Sequence, residues 1–223
     1  MGSRKRSRPT ADKVHAECPF IITYVDHSPD AKQKQPKKKQ TDAGTKKDKN
    51  VVQRVHSQSF EFLPSTMDVH YTIQPCEKWL QMTRYASFVQ DGTKYAIGDF
   101  AMVANEQSVK RQCTKAQPDS EQSNSDWIAR ILEIRASDTL HVYARVAWMY
   151  WPYELPSRGN IDTHQYGPRE VIMSNHMDII NVMSVTTPAK VRRWIEAGDE
   201  ADGTFYYRQA FNCRNGVLST VDT

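Results

Sequence analysis

The sequence predicts a mainly β protein, a small and partly open β-barrel with short helices and a disordered, basic N-terminal tail. Short apolar segments with the two-residue period of strands recur between residues 97 and 211. No apolar run reaches the 18 residues that a membrane-spanning helix needs. The first 50 residues hold 13 Lys and Arg against 6 Asp and Glu, whereas the other 173 hold 17 against 20. The basic charge therefore belongs to the tail, and a mildly acidic folded part suits a basic peptide as partner.

The predicted tail spans residues 1–50. Between His27 and Asn50 it holds eight lysines and no Val, Ile, Leu, Phe, Met, Trp, Tyr or Cys, so this stretch cannot bury enough surface to fold. The short apolar segment Pro19–Val25 is expected to dock on the main domain as an isolated strand, and a partner-binding segment is the alternative. Arg4-Lys5-Arg6 is typical of a nuclear localisation element, with a solvated basic end as the alternative.

Residues 51–94 mix aromatic and polar side chains, which predicts a folded lead-in packed on the domain that follows. In that domain residues 97–103 are predicted as the first strand, and residues 105–126 as a polar loop. A strand pair at 170–173 and 179–185 and a last strand at 205–211 follow later. A short helix is predicted at 188–197, with Pro188 in its first turn.

A β-hairpin is the clearest element. Its strands are predicted at Trp127–Ile134 and Thr139–Trp151, with a turn at 135–138 between them. Successive side chains of a strand point to opposite sides, so the even positions from Leu140 to Tyr150 form one wholly apolar face. The odd positions, His141, Tyr143 and Arg145, point the other way, and Pro152 ends the strand.

Catalytic and metal-binding motifs are missing from the sequence. There is no GxSxG, HExxH, Walker or GxGxxG pattern. The seven histidines show no ligand spacing, and the four cysteines lie 58, 37 and 100 residues apart without a CxxC pair. We therefore expect a binding module that has no enzymatic activity, no cofactor and no metal site.

Aromatic residues give the hairpin its candidate site. Trp148 and Tyr150 are two residues apart, so they point the same way with about 6–7 Å between their Cα atoms. The turn brings Trp127, at the start of the first strand, beside them as a third wall. Three such rings attract a quaternary ammonium by roughly 0.5–2 kcal/mol per contact. The alternative, which spacing alone favours, is that these rings only fill the core.

Five short motifs between Tyr95 and Phe211 occur in an order and spacing that resemble one known family. They are Gly98-Asp99-Phe100, Trp127–Ile131, Val146–Pro152, Gln165-Tyr166-Gly167 with Glu170, and Ser174–Asp178. This stretch resembles the bromo-adjacent homology (BAH) domain, which implies a BAH domain at residues 95–223. It looks most like the plant and fungal BAH–PHD proteins that read Polycomb-repressed chromatin. In those relatives a PHD finger follows soon after, whereas this chain stops at Thr223, so the two alternatives are an excised BAH portion and a protein that lacks the finger.

The resemblance implies a role for each candidate residue. Trp127, Trp148 and Tyr150 take the positions of the methyl-lysine cage, and we expect all three at the rim of the domain. His176 and Asp178 take positions that contact the peptide beside the methylated lysine, and a structural histidine and a turn-forming aspartate are the alternatives. Trp151 could enlarge the aromatic surface for the peptide or merely pack on the outside of the barrel.

The function implied is that of a nuclear chromatin reader that binds trimethyl-lysine on the histone H3 tail, in particular H3K27me3, and couples this mark to repression. One alternative is a BAH domain that serves as a protein–protein scaffold, with the aromatics in its core. Another is a binder of nucleosomal DNA through the basic tail. A third is a non-catalytic part of a chromatin enzyme.

Overall fold

The computed structural model describes residues 18–26, 54–62, 66–105, 126–155, 165–194 and 203–220. Within these ranges the chain is mainly β, as predicted. The helical elements are α1 (Cys76–Gln81) and two 3-10 turns at Pro152–Glu154 and Val182–Ser184. The strands are β1 (Ile21–Val25), β2 (His56–Gln58), β3 (Val69–Gln74), β4 (Thr83–Tyr85), β5 (Ser87–Gln90), β6 (Thr93–Ala96), β7 (Phe100–Val103), β8 (Trp127–Ala136), β9 (Val142–Met149), β10 (Met173–Ser174), β11 (Met177–Asn181), β12 (Val185–Ala189), β13 (Val191–Arg193), β14 (Phe205–Tyr207), β15 (Gln209–Asn212) and β16 (Val217–Thr220).

A six-stranded sheet carries the candidate site. Its strands run in the order β11-β9-β8-β7-β12, and β4 pairs with one end of β8. The two ends of this order do not pair with each other in the described part of the chain, which is consistent with the predicted partly open barrel. Smaller sheets flank it: β1-β3-β2, β5-β6, β13-β14 and β10-β15-β16.

The predicted hairpin forms between β8 and β9, with its connection at residues 137–141 rather than 135–138, and it is buried on both faces. Residues of β9 alternate between two hydrophobic clusters because successive side chains point to opposite sides. Tyr143 belongs to the N-terminal cluster, which also contains Phe20 and Trp79. Val146 belongs to the hairpin cluster, which also contains Val103, Ile131 and Val185. The odd positions of β9 therefore lie in a second core rather than in solvent.

Residues 18–26 are part of the fold. Strand β1 pairs antiparallel with β3, and Phe20 is 1% exposed in the N-terminal cluster. This confirms that the apolar segment docks as a strand, so the tail predicted at 1–50 is interrupted by folded residues. The rest of that tail, 1–17 and 27–50, lies outside the described residues.

The helix predicted at 188–197 is wrong for the residues that the structure describes. Residues 185–189 and 191–193 form strands instead, and Pro188 pairs with Ala101 of β7. Strand β12 lies at the edge of the sheet, where a proline is tolerated because its missing N–H leaves no central ladder bond unmade.

The remaining predicted elements hold in outline but differ at their ends. The last strand, predicted at 205–211, is broken at Arg208, so that β14 pairs with β13 and β15 pairs with β10 and β16. The strand predicted at 179–185 is divided by the 3-10 turn at Val182–Ser184. Residues 106–125 of the predicted polar loop lie outside the described part. No described helix is long and apolar enough to cross a membrane.

Candidate functional site

Three aromatic side chains meet at the open end of the hairpin, away from its turn. Ala129 pairs with Trp148 and Ile128 pairs with Met149, so the register places Trp127 across from Tyr150. Alternation along the strands then puts Trp127, Trp148 and Tyr150 on one face. The Trp127 and Trp148 rings are in edge contact, with 5.5 Å between their centroids and an interplanar angle of 70°. We call these three residues the aromatic cluster.

The three rings differ in how much solvent they meet. Trp148 is 2% exposed and belongs to the hairpin cluster. Trp127 and Tyr150 are half-buried and pack against that cluster. The expectation that all three lie at the rim is therefore wrong for Trp148, which is buried, whereas Trp127 and Tyr150 are partly exposed. The hairpin cluster that contains Trp148 also includes Val103 of β7, Ile180 of β11 and Val185 of β12, so strands distant in sequence contribute to its burial.

His176 joins this cluster through Tyr150. The Tyr150 hydroxyl lies 2.8 Å from His176 Nδ1, and the two rings stack with 6.1 Å between centroids. The backbone N–H of Trp148 donates to the carbonyl oxygen of His176 at 2.9 Å. The Ser174 hydroxyl donates to the carbonyl oxygen of Trp148 at 2.6 Å. The segment 174–176 is thus fixed to the end of β9.

Asp178 lies on β11, on the same face of the sheet as the aromatic cluster. It pairs with Val146, which is two residues before Trp148, so its half-buried side chain points to the side of the aromatic cluster. Asp178 Oδ1 accepts a hydrogen bond from the N–H of Ile179 at 2.8 Å. Burial raises the pKa of the Cys18 thiol to about 11, and the nearby charge of Asp178 adds to this rise.

Trp151 lies on the other side of the hairpin. It is 3% exposed in the N-terminal cluster, and its ring packs edge-on against Phe205 with 5.6 Å between centroids. Its Nε1 donates to the carbonyl oxygen of Asp126 at 3.3 Å. The ring of Tyr153, which is 60% exposed, stacks on it at 6.3 Å. The structure therefore brings together Trp127, Trp148, Tyr150 and His176, and it places Trp151 apart from them.

The model of the BAH domain family matches residues 93–222. This chain belongs to the BAH family. Among solved structures it is similar to the crystal structure of the yeast Rsc2 BAH domain, at 12% sequence identity and a TM-score of 0.42. That match covers 62% of this chain and 54% of the other, so the chain spans about half of the matched structure. No curated protein matches.

BAH domains are chromatin-associated modules that bind histones or act as scaffolds, and they are not generally enzymes. The family match begins at Thr93, the first residue of β6, close to the predicted domain start at residue 95. The lead-in nevertheless contributes a strand to the main sheet, because β4 pairs with the turn-proximal end of β8. Among the described residues of this BAH domain, no group of three His, Cys, Asp or Glu side chains is placed to hold a metal ion.

A buried ion network lies at the other end of the same hairpin. Glu133 Oε1 accepts hydrogen bonds from Arg135 Nε at 2.7 Å and Arg84 Nε at 2.9 Å, and Oε2 accepts one from Arg145 Nε at 3.2 Å. Burial alone would raise the pKa of Glu133, but the hydrogen bond from Arg135 and the charge of Arg145 bring it below its ordinary value. Arg145 is thus a structural residue of this BAH domain.

Asn175 was missed by the sequence analysis although it supports the site. It is fully buried, and its Nδ2 donates to the carbonyl oxygen of Met67 at 3.0 Å. Its Oδ1 accepts the backbone N–H of Cys213 at 2.9 Å. An amide between Ser174 and His176 gives no period or spacing that would reveal these partners, which are 108 and 38 residues away.

Proposed function

We propose that this BAH domain is a nuclear chromatin reader that binds trimethyl-lysine on the histone H3 tail, with preference for H3K27me3, and links that mark to transcriptional repression. The observation that carries the proposal is the aromatic cluster, in which two half-buried rings flank a buried one at the end of a rigid hairpin. The family supplies the chromatin setting.

The chemistry of the cluster suits a methylated ammonium. A trimethylammonium group has no N–H to donate and sheds its water easily, so it gains from contact with the electron-rich faces of Trp and Tyr. Of the two partly exposed rings, Trp127 is a stronger cation–π partner than Tyr150. Trp148 holds the Trp127 ring in place by the edge contact, with 5.5 Å between centroids. An unmodified lysine would lose hydrogen bonds to water in such a site, which gives the order trimethyl, dimethyl, unmodified.

The residues beside the cluster support a peptide ligand. His176 lies against Tyr150, and Asp178 places a carboxylate on the same strand face. A carboxylate there can pair with the arginine that precedes the methylated lysine. This arginine is common to the two repressive H3 sites, so preference for H3K27me3 must come from contacts further along the peptide, where alanines precede and a proline follows the lysine. His176 can line a narrow channel for the alanines, whereas Tyr153 stacks on Trp151 on the other side of the hairpin and is not placed to meet the proline.

Calorimetric titration of the full chain with H3 peptides tests the proposal. Trimethylated H3K27 peptide should bind, and Trp127→Ala should weaken it by about tenfold or more, because one cation–π wall is lost. Tyr85→Ala is the matched control, since Tyr85 is a 49% exposed aromatic that pairs with the opposite end of β8. Binding that survives Trp127→Ala would contradict the cage. Equal affinity for the H3K9me3 peptide would contradict only the choice of mark.

A protein–protein scaffold is the second candidate function. The observation that favours it is the burial of Trp148, which is what a core residue shows. In this case no methylated H3 peptide would bind at any methylation state, and Trp127→Ala would leave the interactions of the domain unchanged. The peptide titration therefore separates the two functions without knowledge of the scaffold's partner.

A further inference from the structure

A basic cleft lies on the folded domain away from the aromatic cluster. It encloses about 480 Å³ between β6, β7 and the β12–β13 connection, and no residue of the aromatic cluster lines it. Lys94, Lys190 and Arg192 line the cleft together with a single carboxylate, that of Asp99. Asp99 Oδ2 already accepts the backbone N–H of Ala96 at 2.7 Å. The cleft therefore presents an excess of positive charge.

This charge is concentrated rather than typical of the domain. Residues 51–223 carry 17 basic against 20 acidic side chains. The described residues contain three lysines, and two of them, Lys94 and Lys190, are exposed in this cleft. Neither forms an ion pair with a carboxylate among the described residues.

Arg130 is a further cation close to the cleft, because it packs on Phe100, which lines the cleft. The guanidinium of Arg130 lies 5.9 Å from the centroid of the Phe100 ring, and Phe100 lines the cleft. Phe100 pairs with Arg130 on one side and with Ala189 on the other, so the three side chains share one sheet face. Arg130 Nε is buried and has no hydrogen-bond partner in the described structure. A buried donor without a partner is costly, and its charge adds to the positive potential of the cleft.

We infer that this basic cleft binds the phosphodiester backbone of duplex DNA. Exposed lysines recognise phosphate as point charges and carry no sequence information, which suits a backbone contact. The chain presents a second cationic region in residues 1–50, where 13 basic side chains face 6 acidic ones. Duplex DNA carries one charge per about 1.7 Å of axis, so a single duplex presents enough phosphates for two cationic regions of one chain. The inference stands whether or not the aromatic cluster binds methyl-lysine.

The salt dependence of DNA binding tests this inference on the full chain. The double variant Lys94→Gln and Lys190→Gln should bind a 20-base-pair duplex of arbitrary sequence about tenfold or more weakly at 0.1 M salt. The slope of log K against log salt concentration should become shallower by about 2, one for each phosphate contact removed. Both lysines are exposed, so the fold is expected to stay intact.

A matched variant provides the control. Arg54→Gln with Lys78→Gln removes the same charge from two exposed positions that do not line the cleft, and the slope should change little. Methyl-peptide affinity should be the same in both double variants, which separates this site from the proposed cage. Equal DNA slopes in the two double variants would overturn the inference. So would loss of poly-glutamate binding in the cleft variant while DNA binding is unchanged, because the cleft would then bind acidic peptide.

Discussion

The two ends of the β8–β9 hairpin are built from different chemistry. Near the turn, Glu133, Arg135 and Arg145 are each less than 10% exposed. Both arginines form ion pairs with Glu133. At the open end, Trp127 and Tyr150 are half-buried and close the face with aromatic rings. The same two strands therefore hold a buried charge network at one end and a partly accessible aromatic cluster at the other.

The difference shows how a site can be told from a structural network. Glu133 is surrounded by donors, and Arg135 Nη1 donates in addition to the carbonyl oxygens of Trp79 at 3.1 Å and Met82 at 3.2 Å. Buried charges that satisfy each other leave little for a ligand to bind. Aromatic faces that are only partly covered can still gain a contact. The open end is therefore the better ligand site, although the turn end carries more charge.

The largest effect is expected from Glu133→Gln at the turn end. Removing this carboxylate leaves two buried guanidinium groups without a counter-charge, which should lower the free energy of unfolding by about 3–5 kcal/mol. Urea denaturation followed by tryptophan fluorescence measures the change. Asp91→Asn removes one carboxylate from an exposed turn and is the matched control. A loss below about 1 kcal/mol would show that the network does not stabilise the hairpin.

The pH dependence of stability checks the same network independently. The pKa of Glu133 in the folded protein is lower than its ordinary value of 4.5. A lowered folded pKa means that the stabilisation is complete above the unfolded pKa and is lost as the pH falls through the folded pKa. The wild-type protein should therefore lose stability below about pH 4.5, and Glu133→Gln should show a shallower loss over that range. Parallel pH profiles in the two proteins would contradict the assignment.

The next effect concerns Trp148, the buried residue of the aromatic cluster. Trp148→Ala should lower the free energy of unfolding by about 3–5 kcal/mol, because a large side chain that is 2% exposed leaves a cavity. Trp127→Ala should cost clearly less, since its ring is half-buried, while it weakens peptide binding. Denaturation and calorimetry on both variants give the two quantities. Similar stability losses in the two variants would mean that Trp127 is a core residue too, and this would favour the scaffold.

The hairpin was predictable from sequence because its signal is local. Apolar residues at alternate positions between Trp127 and Trp151 predict two strands, and the motif order predicts the BAH domain, which the family match confirms. The burial of Trp148 was not predictable in the same way. Val103 and Val185, which pack in its cluster, lie 45 and 37 residues away in the chain. The sequence contains no measure of which strands will cover which face.

The buried charges and the edge strand were missed for the same reason. Glu133 lies between Leu132 and Ile134 in a strand that also contains Arg130 and Arg135, and a carboxylate flanked by two large apolar residues is a local signal of a buried charge. The local sequence predicts Pro188 in the first turn of a helix, because the partner that makes it a strand residue, Ala101 of β7, is 87 residues distant. Local periodicity shows which side chains of a strand share a face. Whether that face packs against other strands or contacts solvent depends on pairing between residues far apart in the sequence.

The smallest effect tests the link between Tyr150 and His176. Tyr150→Phe keeps the aromatic face and removes the hydroxyl that lies 2.8 Å from His176 Nδ1. One hydrogen bond contributes about 0.5–1.5 kcal/mol, so a small loss of stability is expected. If the hydroxyl also orients His176 toward the peptide, affinity for the trimethylated peptide should fall by about two- to tenfold, and the preference for trimethyl over unmodified lysine should stay. Tyr166→Phe, which removes the hydroxyl that donates to Gln209 Oε1 at 2.6 Å outside the aromatic cluster, should leave peptide affinity unchanged. A fall in methyl-lysine preference in Tyr150→Phe would instead show that the hydroxyl acts on the cage, and an unchanged affinity would remove His176 from the peptide site.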